Sequence, residues 1–335
     1  MLQFFYHFMD SEYRFCFTLD TEPDDLWARR PALSFEHFNV LPGFHDLIVE
    51  SGGRPTYLTT SEVAESARGR GALEACLARG DCEIGVHFHT WTRAWPFPVA
   101  NLGDPPVHAL AHQLGQEVEE RMIEFTKRSI LGNLGVEAES YRGGKWSLGP
   151  SSVKSLVNCG IAVDSTVTPG LSWADAASPL ADGPDFRYAQ RGPHWLTFQD
   201  RAVVELPVGA AWFPEHLQRV HPWVQKQARR VSARTHLRVG HRWLRPTRVS
   251  VPDMTAVMRK LKAQGIKVWV IMIHSAEIVP CTPLPTREAV EAFKRRCAGV
   301  VRAAVELGAS PATLTEAARW WEGTAAGSCG SQPCP

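Results

Sequence analysis

Short apolar segments alternate with longer segments whose apolar residues recur every three to four positions, along most of the 335-residue chain. The short segments are typical of buried β-strands and the longer ones of amphipathic α-helices. Strands are predicted for YRFCFTLD, RPTYLTT, CEIGVHFH, AESYR, IAVDS, AVVELPV and IKVWVIMIH. Strands and helices that alternate in this way predict an α/β protein built on a parallel sheet or barrel.

Helices are predicted between these strands. Leu41, Phe44, Leu47 and Ile48 recur at helical spacing, and Ser61 is expected to cap the helix that follows the second strand. The longest predicted helices are VHALAHQLGQEVEERMIEFTKRSIL and REAVEAFKRRCAGVVRAAVELG. The chain contains no internal repeat.

The first strand ends in two carboxylates. Alternate residues of a strand share a face, so Thr18, Asp20 and Glu22 lie on one face while Phe17 and Leu19 lie on the other. An acidic loop after a strand is common and explains such a pair without any function. Two carboxylates that face inward, however, repel each other unless a cation or an arginine lies between them.

The same alternation places two histidines together in EIGVHFHTW. His87 and His89 are two residues apart, so on a strand both imidazoles face one space. On a helix they would diverge. The alternative interpretation is one buried, hydrogen-bonded histidine and one surface histidine.

Further candidates end other strands. Arg142 in SYRGGKW forms either a surface salt bridge or a bidentate contact that holds a carboxylate ionised. Trp146 in the same segment is assigned equally to the core or to ligand contact. His274 ends IKVWVIMIH, and Asp164 lies in AVDSTVTPG. Because the carboxyl ends of the strands in a parallel barrel open on one mouth, we expect these residues to form a single site.

The amino-acid composition says little about the function of the protein and more about its class and location. With 44% hydrophobic and 21% charged residues and a net charge of +1, the chain resembles an ordinary soluble protein. It has no apolar run of about 18 residues, and its first residues lack the basic start of a secretory signal. Eight cysteines without CxxC spacing are expected to be reduced core thiols. A cytoplasmic location is therefore predicted.

One stretch of the chain is strongly basic. Nine lysines and arginines and no acidic residue lie between Glu215 and Asp253. A charge run usually forms a solvated helical face. Alternatively, residues 216–248 form a basic amphipathic element that docks on an anionic membrane, at the inner membrane face, or on a diphosphate-linked sugar. Nucleic acid is not expected as a partner, because no binding motif accompanies the charge.

The motifs TLDTE, EIGVHFHTW, YRGGKW, VDSTVTPG and IMIHSAE, in this order, resemble those of the polysaccharide deacetylases, the NodB-homology domain of metal-dependent carbohydrate esterases. The resemblance covers about residues 14–320. It implies a distorted (β/α) barrel of about seven strands that hydrolyses an N-acetyl, sometimes an O-acetyl, group on a sugar. Five ordered motifs are more specific than any one of them.

The resemblance also implies catalytic roles. Asp20 matches the general base, Arg142 the arginine that orients this base, and His274 the general acid. Asp164 lies where the family often has a charge-relay aspartate, although the match is loose. Asp20 would take a proton from the attacking water, and His274 would protonate the departing amine.

For the metal, the resemblance implies Glu22 and His87 as ligands. The chain departs from the family pattern, because the acidic pair is Asp-Thr-Glu and the position four residues after His87 is Trp91. His89 is expected to take the place of the second histidine. Two histidines and a carboxylate with an open position suit a hydrolytic Zn²⁺ site. Trp91 and Trp146 are expected to contact the substrate.

The predicted organisation is a single domain over residues 1–322, with a basic insertion at about 214–250 and a flexible tail at 323–335. The predicted partner is an N-acetylated sugar, an oligosaccharide, or a lipid-linked or nucleotide-linked sugar. Two alternatives stay open at this point. One is a catalytically silent glycan-binding or scaffold protein on the same barrel, and the other is a hydrolase of another C–N amide.

Overall fold

A curled β-sheet forms the centre of the computed structural model, which describes residues 11–24, 26, 32–99, 109–174, 183–220 and 239–328. The strands within these ranges are β1 (Arg14–Thr21), β2 (Pro55–Thr59), β3 (Glu83–Phe88), β4 (Ser140–Gly143), β5 (Val163–Asp164), β6 (His194–Phe198), β7 (Arg201–Glu205), β8 (Ala210–Phe213), β9 (Gly240–Trp243), β10 (Val268–His274) and β11 (Ser310–Pro311).

Helices cover the outside of the sheet. Those in the described ranges are α1 (Leu41–Glu50), α2 (Ser61–Glu65), α3 (Ala67–Leu77), α4 (Gln116–Leu134), α5 (Ser152–Asn158), α6 (Val251–Ala263), α7 (Arg287–Glu306) and α8 (Leu314–Ser328). Short 3-10 helices join several of them. The α/β class and the alternation of strands with helices are confirmed.

The strand order β10-β1-β2-β3-β4-β5-β7 makes seven parallel strands, with β6 antiparallel at one edge and β11 beside β1. The segment after β7 draws the two ends of this sheet together. The Leu206 amide donates to the Asp164 carbonyl, and three residues later the Gly209 amide donates to the Val270 carbonyl of β10, at 2.9 Å. The predicted distorted barrel of about seven strands is therefore confirmed as a curled parallel sheet.

Strand alternation separates two apolar layers. Phe15, Phe17 and Leu19 belong to the large outer core between the sheet and the helices. Their neighbour Cys16 belongs to a smaller interior cluster, which the C-terminal helix α8 joins through Leu314. The remaining members of the interior cluster are Leu58, Val163, Val204, Leu206, Val268, Val270, Ala312, Ala317 and Ala318. This interior cluster therefore packs directly below the carboxyl ends of the strands.

Strand register brings the polar residues at the carboxyl ends together. Asp20 of β1 lies opposite His274 of β10, and His87 of β3 lies opposite Arg142 of β4. Because β1 also pairs with β2 and β2 with β3, these ends form one continuous rim. The register therefore places these strand-end residues at one mouth of the barrel, as the sequence analysis expected.

The helices differ from the sequence prediction in two places. The long helix predicted from residue 107 is interrupted at Gly115, whose φ of +90° is incompatible with a right-handed helix, so that a 3-10 helix (Ala111–Leu114) precedes α4. The N-cap of α2 is Thr60 and not Ser61, because the Thr60 side chain accepts the Val63 amide.

The predicted C-terminal tail and the basic stretch lie partly outside the described residues. Helix α8 continues to Ser328, beyond residue 322, where the tail was expected to begin, and residues 329–335 lie outside the described part. Within the basic stretch, β9 pairs antiparallel with β8, which precedes the stretch, while residues 221–238 lie outside the described ranges. The helical pattern predicted for those residues stays a prediction, as do the domain boundaries.

Two further sequence expectations concern the cysteines and membrane spans. The six cysteines within the described ranges are free. Within the same ranges, no helix combines the length and the apolar character that a membrane span requires.

The barrel interior below the site leaves no room for a side chain at Gly85 of β3. A Cβ there would lie 2.8 Å from Leu58 Cδ2 and closer still to Ser140 Oγ. We expect Gly85→Ala to lower the free energy of unfolding by about 1–3 kcal/mol, through overpacking. The matched control is Gly71→Ala on the exposed side of α3, where nothing lies within 4 Å of a Cβ.

The control should raise stability by about 1 kcal/mol, because alanine is the better helix former. Chemical denaturation of both variants measures the difference. Equal stabilities of the two variants would contradict the packing described for the interior.

Candidate metal centre and active site

Three buried side chains converge at the rim of the barrel. His89 Nε2 lies 2.9 Å from Glu22 Oε2, His87 Nε2 lies 3.6 Å from the same oxygen, and the two Nε2 atoms are 3.3 Å apart. The side chains are at most 3% exposed. The structure therefore brings together all three residues that the sequence predicted as metal ligands.

These three atoms fit the requirements of a zinc ion. With bonds of about 2.0–2.1 Å in a tetrahedral site, two ligand atoms lie about 3.3 Å apart. His87 Nδ1 lies 2.7 Å from the carbonyl oxygen of Arg142, to which it donates, so the lone pair of Nε2 points toward His89 and Glu22. Such a hydrogen bond on the far nitrogen is what orients metal-ligating histidines.

The pKa shifts of Glu22, His87 and His89 are consistent with metal binding. Burial raises the pKa of Glu22, but hydrogen bonds from His87 and His89 outweigh it and hold the pKa well below the usual range. Burial lowers the pKa of His89, so this ring is neutral at pH 7. Burial also lowers the pKa of His87, but Asp20 and Glu22 outweigh it and raise the pKa. A cation among these groups would replace the proton that two nearby carboxylates attract to His87.

Asp20 lies beside this cluster and is bound by a fully buried arginine. Arg142 Nη1 donates to Asp20 Oδ1 at 2.7 Å, while Nε and Nη2 donate to the carbonyl and hydroxyl oxygens of Ser165. The expectation of a bidentate contact between Arg142 and Asp20 is wrong, because Nε and Nη2 of the guanidinium bind Ser165 instead. Burial raises the pKa of Asp20, but Arg142, His87 and His274 outweigh it and lower the pKa. Asp20 is therefore ionised at neutral pH.

His274 completes the set from the opposite side. Its Nε2 lies 3.9 Å from Asp20 Oδ2 and 4.0 Å from Glu22 Oε1. Arg245 Nη2 lies 2.9 Å from His274 Nδ1. Since a guanidinium only donates hydrogen bonds, Nδ1 accepts and the proton of the neutral ring resides on Nε2, the nitrogen that faces the carboxylates.

Arg245 was missed as a site residue by the sequence analysis, which counted it only among the basic residues of 216–248. Glu277 Oε1 lies 3.4 Å from Arg245 Nη2 and, together with Thr247, positions this arginine. The only signal in the sequence was the charge itself. Most of the remaining basic residues lie within 221–238, outside the described part, so their proposed membrane contact stays a prediction.

A buried hydrogen-bonded chain supports Glu22 from behind. The Asp24 carboxylate contacts His37 Nδ1, His37 Nε2 lies 2.9 Å from Ser275 Oγ, and this hydroxyl accepts the Glu22 amide at 3.2 Å. Ser275 is the residue after His274, so the chain connects both ends of the site. Its members come from segments far apart in sequence, and no spacing pattern predicts them.

The loop after β4 carries the aromatic part of the site. Gly144 packs against the Phe88 carbonyl and His89, and the next two residues, Lys145 and Trp146, both have positive φ, at 53° and 61°. Consecutive left-handed residues other than glycine indicate a loop held by its surroundings. The loop sets Lys145 Nζ 4.6 Å from the ring of Trp91, which itself lies 4.5 Å from the His89 ring.

Trp146 lies below the surface and is 7% exposed. Its ring stacks on Trp173 at 5.7 Å and lies 6.1 Å from Trp243, and both of these rings are partly exposed. Trp91 is also partly exposed. Trp173 and Trp243 were not predicted as site residues, because neither belongs to a recognised motif.

Asp164 lies on the rim but contacts different partners from those its predicted role requires. Thr166 donates to Asp164 and in turn accepts the Gly143 amide at 2.9 Å. In β7, Glu205 lies opposite Asp164, and burial raises the pKa of both carboxyl groups. Among the described residues, no hydrogen bond or ion pair joins Asp164 to Asp20 or His274. The charge-relay role stays a prediction.

Comparison with solved structures identifies the fold. A candidate polysaccharide deacetylase from Mycobacterium smegmatis matches with a TM-score of 0.56 and 16% identity over 95% of this chain and 93% of its own. A second such protein, from Pseudomonas aeruginosa PAO1, matches with 0.51 and 14% over 93% and 92%. The chain has the polysaccharide deacetylase fold. No protein-family model and no curated protein matches it.

The same fold also occurs in a protein with a different activity. A 4-alpha-glucanotransferase from Thermococcus litoralis matches with a TM-score of 0.52 and 14% identity, over 92% of this chain and 40% of its own. At such identities the likeness concerns the fold alone. The chemistry has to be argued from the donor set described above.

We expect His87→Ala, His89→Ala and Glu22→Gln each to lower metal occupancy at this site, because a site that loses one of three ligands binds zinc poorly. The matched control is His194→Ala on β6, whose Nδ1 lies 3.0 Å from the Gly192 carbonyl and which belongs to the opposite edge of the sheet. Metal content of the purified proteins measures the effect. If His89→Ala kept full occupancy while His87→Ala lost it, the assignment of His89 would be wrong.

Proposed function

We propose that the protein is a metal-dependent carbohydrate deacetylase that removes an acetyl group, in the first place an N-acetyl group, from a sugar. One observation carries this proposal: three converging ligand atoms lie beside an ionised carboxylate and an imidazole whose N–H faces the same space. A base, an acid and a metal-binding set at one point are the requirements for hydrolysing an amide.

The roles of the residues follow from their geometry. Zn²⁺ held by Glu22, His87 and His89 would supply a Lewis acid for the acetyl carbonyl and a water of lowered pKa. Asp20, which Arg142 keeps ionised, accepts the proton of the attacking water. As the C–N bond breaks, His274 donates the Nε2 proton to the sugar nitrogen and takes up in its place the proton that Asp20 received from the water, since Asp20 Oδ2 lies 3.9 Å from Nε2. The ring is then neutral again, and acetate and the amine are released.

Transfer of a sugar unit, the activity for which the Thermococcus protein is named, suits these residues less well. Glycosyl transfer needs a protonated carboxylic acid of raised pKa beside a second carboxylate. Here the pKa values of Asp20 and Glu22 are both lowered, once burial is outweighed by their cationic and imidazole partners. The acid in this site is therefore an imidazole, which suits a nitrogen leaving group.

The aromatic residues support a sugar substrate. Trp91, Trp173 and Trp243 are partly exposed around the donor set, and tryptophan rings offer apolar faces to the C–H side of a pyranose. Arg245 lies 5.2 Å from the ring of Trp243 and adds a positive charge beside it. Because this positive charge suits a phosphate-linked sugar, we include nucleotide-linked and lipid-linked sugars among the substrates. Oligosaccharides are included as well.

Acetate release from a panel of substrates tests the proposal. The panel contains free N-acetyl sugars, N-acetylated oligosaccharides, nucleotide-linked and lipid-linked N-acetyl sugars, and an O-acetyl sugar. The metal content of the same sample is measured. Acetate released by the zinc-loaded protein but not by the Asp20→Asn variant supports the proposal. Binding of a sugar without acetate release from any substrate would indicate a silent glycan-binding protein.

We expect Asp20→Asn and His274→Ala to keep their fold and metal and to lose turnover by about 10²–10⁴-fold each, the range typical of a general base or acid. Arg142 acts through Asp20, so Asp20→Asn combined with Arg142→Gln should be little slower than Asp20→Asn alone. Steady-state kinetics with circular dichroism as a check on folding measures this. Fully multiplicative losses would contradict the coupling.

Arg245→Met should lower kcat by about 10- to 100-fold, because the charged hydrogen bond that holds the proton on His274 Nε2 is worth about 1.5–3 kcal/mol. Without Arg245, the ring proton of His274 can move from Nε2 to Nδ1, which lies 4.0 Å from Glu277 Oε1. Arg248→Met, at an exposed position three residues on, is the matched control. Equal kcat values for the two variants would show that Arg245 does not position the acid.

A further inference from the structure

A second group of potential metal ligands lies at the other end of the barrel. His45 belongs to α1, while Asp81 and Cys82 lie between α3 and β3, directly before the strand whose far end carries His87. A strand rises about 3.3 Å per residue, so the two groups are separated by roughly 15–20 Å. The proposed deacetylase function makes no use of this group.

The three side chains present one ligand atom each to a common space. A nitrogen of His45, a carboxylate oxygen of Asp81 and the sulfur of Cys82 all lie within 4.8 Å of one another. His45 is fully buried, and the Asp81 side chain is 27% exposed. A histidine, a carboxylate and a thiol are three of the side-chain types that bind zinc.

His45 Nε2 and Asp81 Oδ1 are arranged like ligands and not like a hydrogen-bonded pair. The two atoms lie 2.9 Å apart, yet both are buried and neither has a hydrogen bond of acceptable geometry. Buried polar atoms without partners are rare, because each costs about 1–3 kcal/mol. A cation between them would satisfy both atoms.

The other nitrogen of His45 is oriented by a buried tyrosine. His45 Nδ1 lies 2.9 Å from the Tyr57 hydroxyl, and the two rings stack at 6.1 Å. When the Nδ1–H donates to this hydroxyl, the Nε2 lone pair faces Asp81 and Cys82. This is the arrangement by which a second partner fixes the tautomer of a metal-binding histidine.

An ion pair between a protonated His45 and Asp81 is the competing explanation. In such a pair His45 Nε2 would donate a hydrogen bond to Asp81 Oδ1, yet at 2.9 Å neither atom has a hydrogen bond of acceptable geometry. The Cys82 sulfur also lies within 4.8 Å of both ligand atoms, and an ion pair has no need of it. The geometry thus favours a bound cation over a protonated histidine.

We propose that His45, Asp81 and Cys82 form a second divalent-metal site of the zinc type, distinct from the Glu22, His87 and His89 centre. Water has access at the exposed edge of Asp81 and completes the coordination. The Cys82 thiol would give up its proton on metal binding, because sulfur binds a metal ion as the thiolate. The ion joins α1 to the entry of β3 and stabilises this end of the barrel.

Cobalt distinguishes the two sites, because only the second contains a sulfur ligand and only Co²⁺–thiolate bonds absorb strongly in the near ultraviolet. The probe is Co²⁺ added to the metal-free, reduced full chain. We expect one equivalent of this absorption in the wild type and in His87→Ala/His89→Ala, and none in Cys82→Ser. Cys281→Ser, which removes another partly buried thiol, is the matched control and should keep the band.

A second variant keeps the test decisive if Cys82→Ser folds poorly. Asp81→Asn retains the thiol and should weaken Co²⁺ binding at least tenfold. With Zn²⁺ as the probe, the melting temperature of His87→Ala/His89→Ala should rise, and this rise should disappear when Asp81→Asn is added. The absence of a thiolate band, or a band unchanged by Cys82→Ser and Asp81→Asn, would overturn the proposal. Acetate release is measured separately, so either proposal can fail alone.

Discussion

A single buried arginine connects the parts of the candidate active site. The guanidinium of Arg142 donates to Asp20, and its backbone carbonyl accepts the proton of His87 Nδ1. Its remaining donors bind Ser165 on the neighbouring part of the sheet. One residue at the end of β4 therefore sets the charge state of the base and the tautomer of a metal ligand.

The charges around this arginine explain why the site suits a divalent cation. Asp20 and Glu22 are ionised, and Arg142 neutralises only one of these two charges. A buried charge left without a partner costs several kcal/mol, so Glu22 needs a positive charge beside it, either a proton on His87 or a metal ion in its place. Zn²⁺ bound by Glu22 and the two imidazoles would meet this requirement and leave one coordination position open for chemistry.

Strand alternation alone predicted the part of the site that lies on strands. The i, i+2 spacing placed Asp20 with Glu22 and His87 with His89, and the parallel arrangement placed Arg142 and His274 on the same rim. The motif resemblance added the roles, which geometry alone does not assign. Residues on regular strands can be located in this way because their direction is fixed by the period of the backbone.

The supporting residues could not be predicted, because they lie on irregular segments. Arg245 follows the β8–β9 hairpin, and His37 lies in a 3-10 helix (Glu36–Asn39) that no apolar periodicity indicates. Trp173 lies in a loop and Trp243 at the end of β9, about 70 positions apart in the sequence. Gly115 likewise ended a helix inside a segment whose apolar pattern continued across it.

The fold itself says less about the chemistry of the protein than these side chains do. Similar barrels occur in proteins designated polysaccharide deacetylases and in a glucanotransferase, so the donor set at the rim has to account for the chemistry. The central claim is that Glu22, His87 and His89 bind one metal ion beside Asp20. Anomalous X-ray diffraction from zinc-soaked crystals of the full chain tests it most directly.

The account predicts an anomalous peak about 2.0–2.2 Å from Glu22 Oε2, His87 Nε2 and His89 Nε2, with Asp20 still bound to Arg142. A rim without such a peak, in which His89 instead donates a hydrogen bond to Glu22, would contradict it.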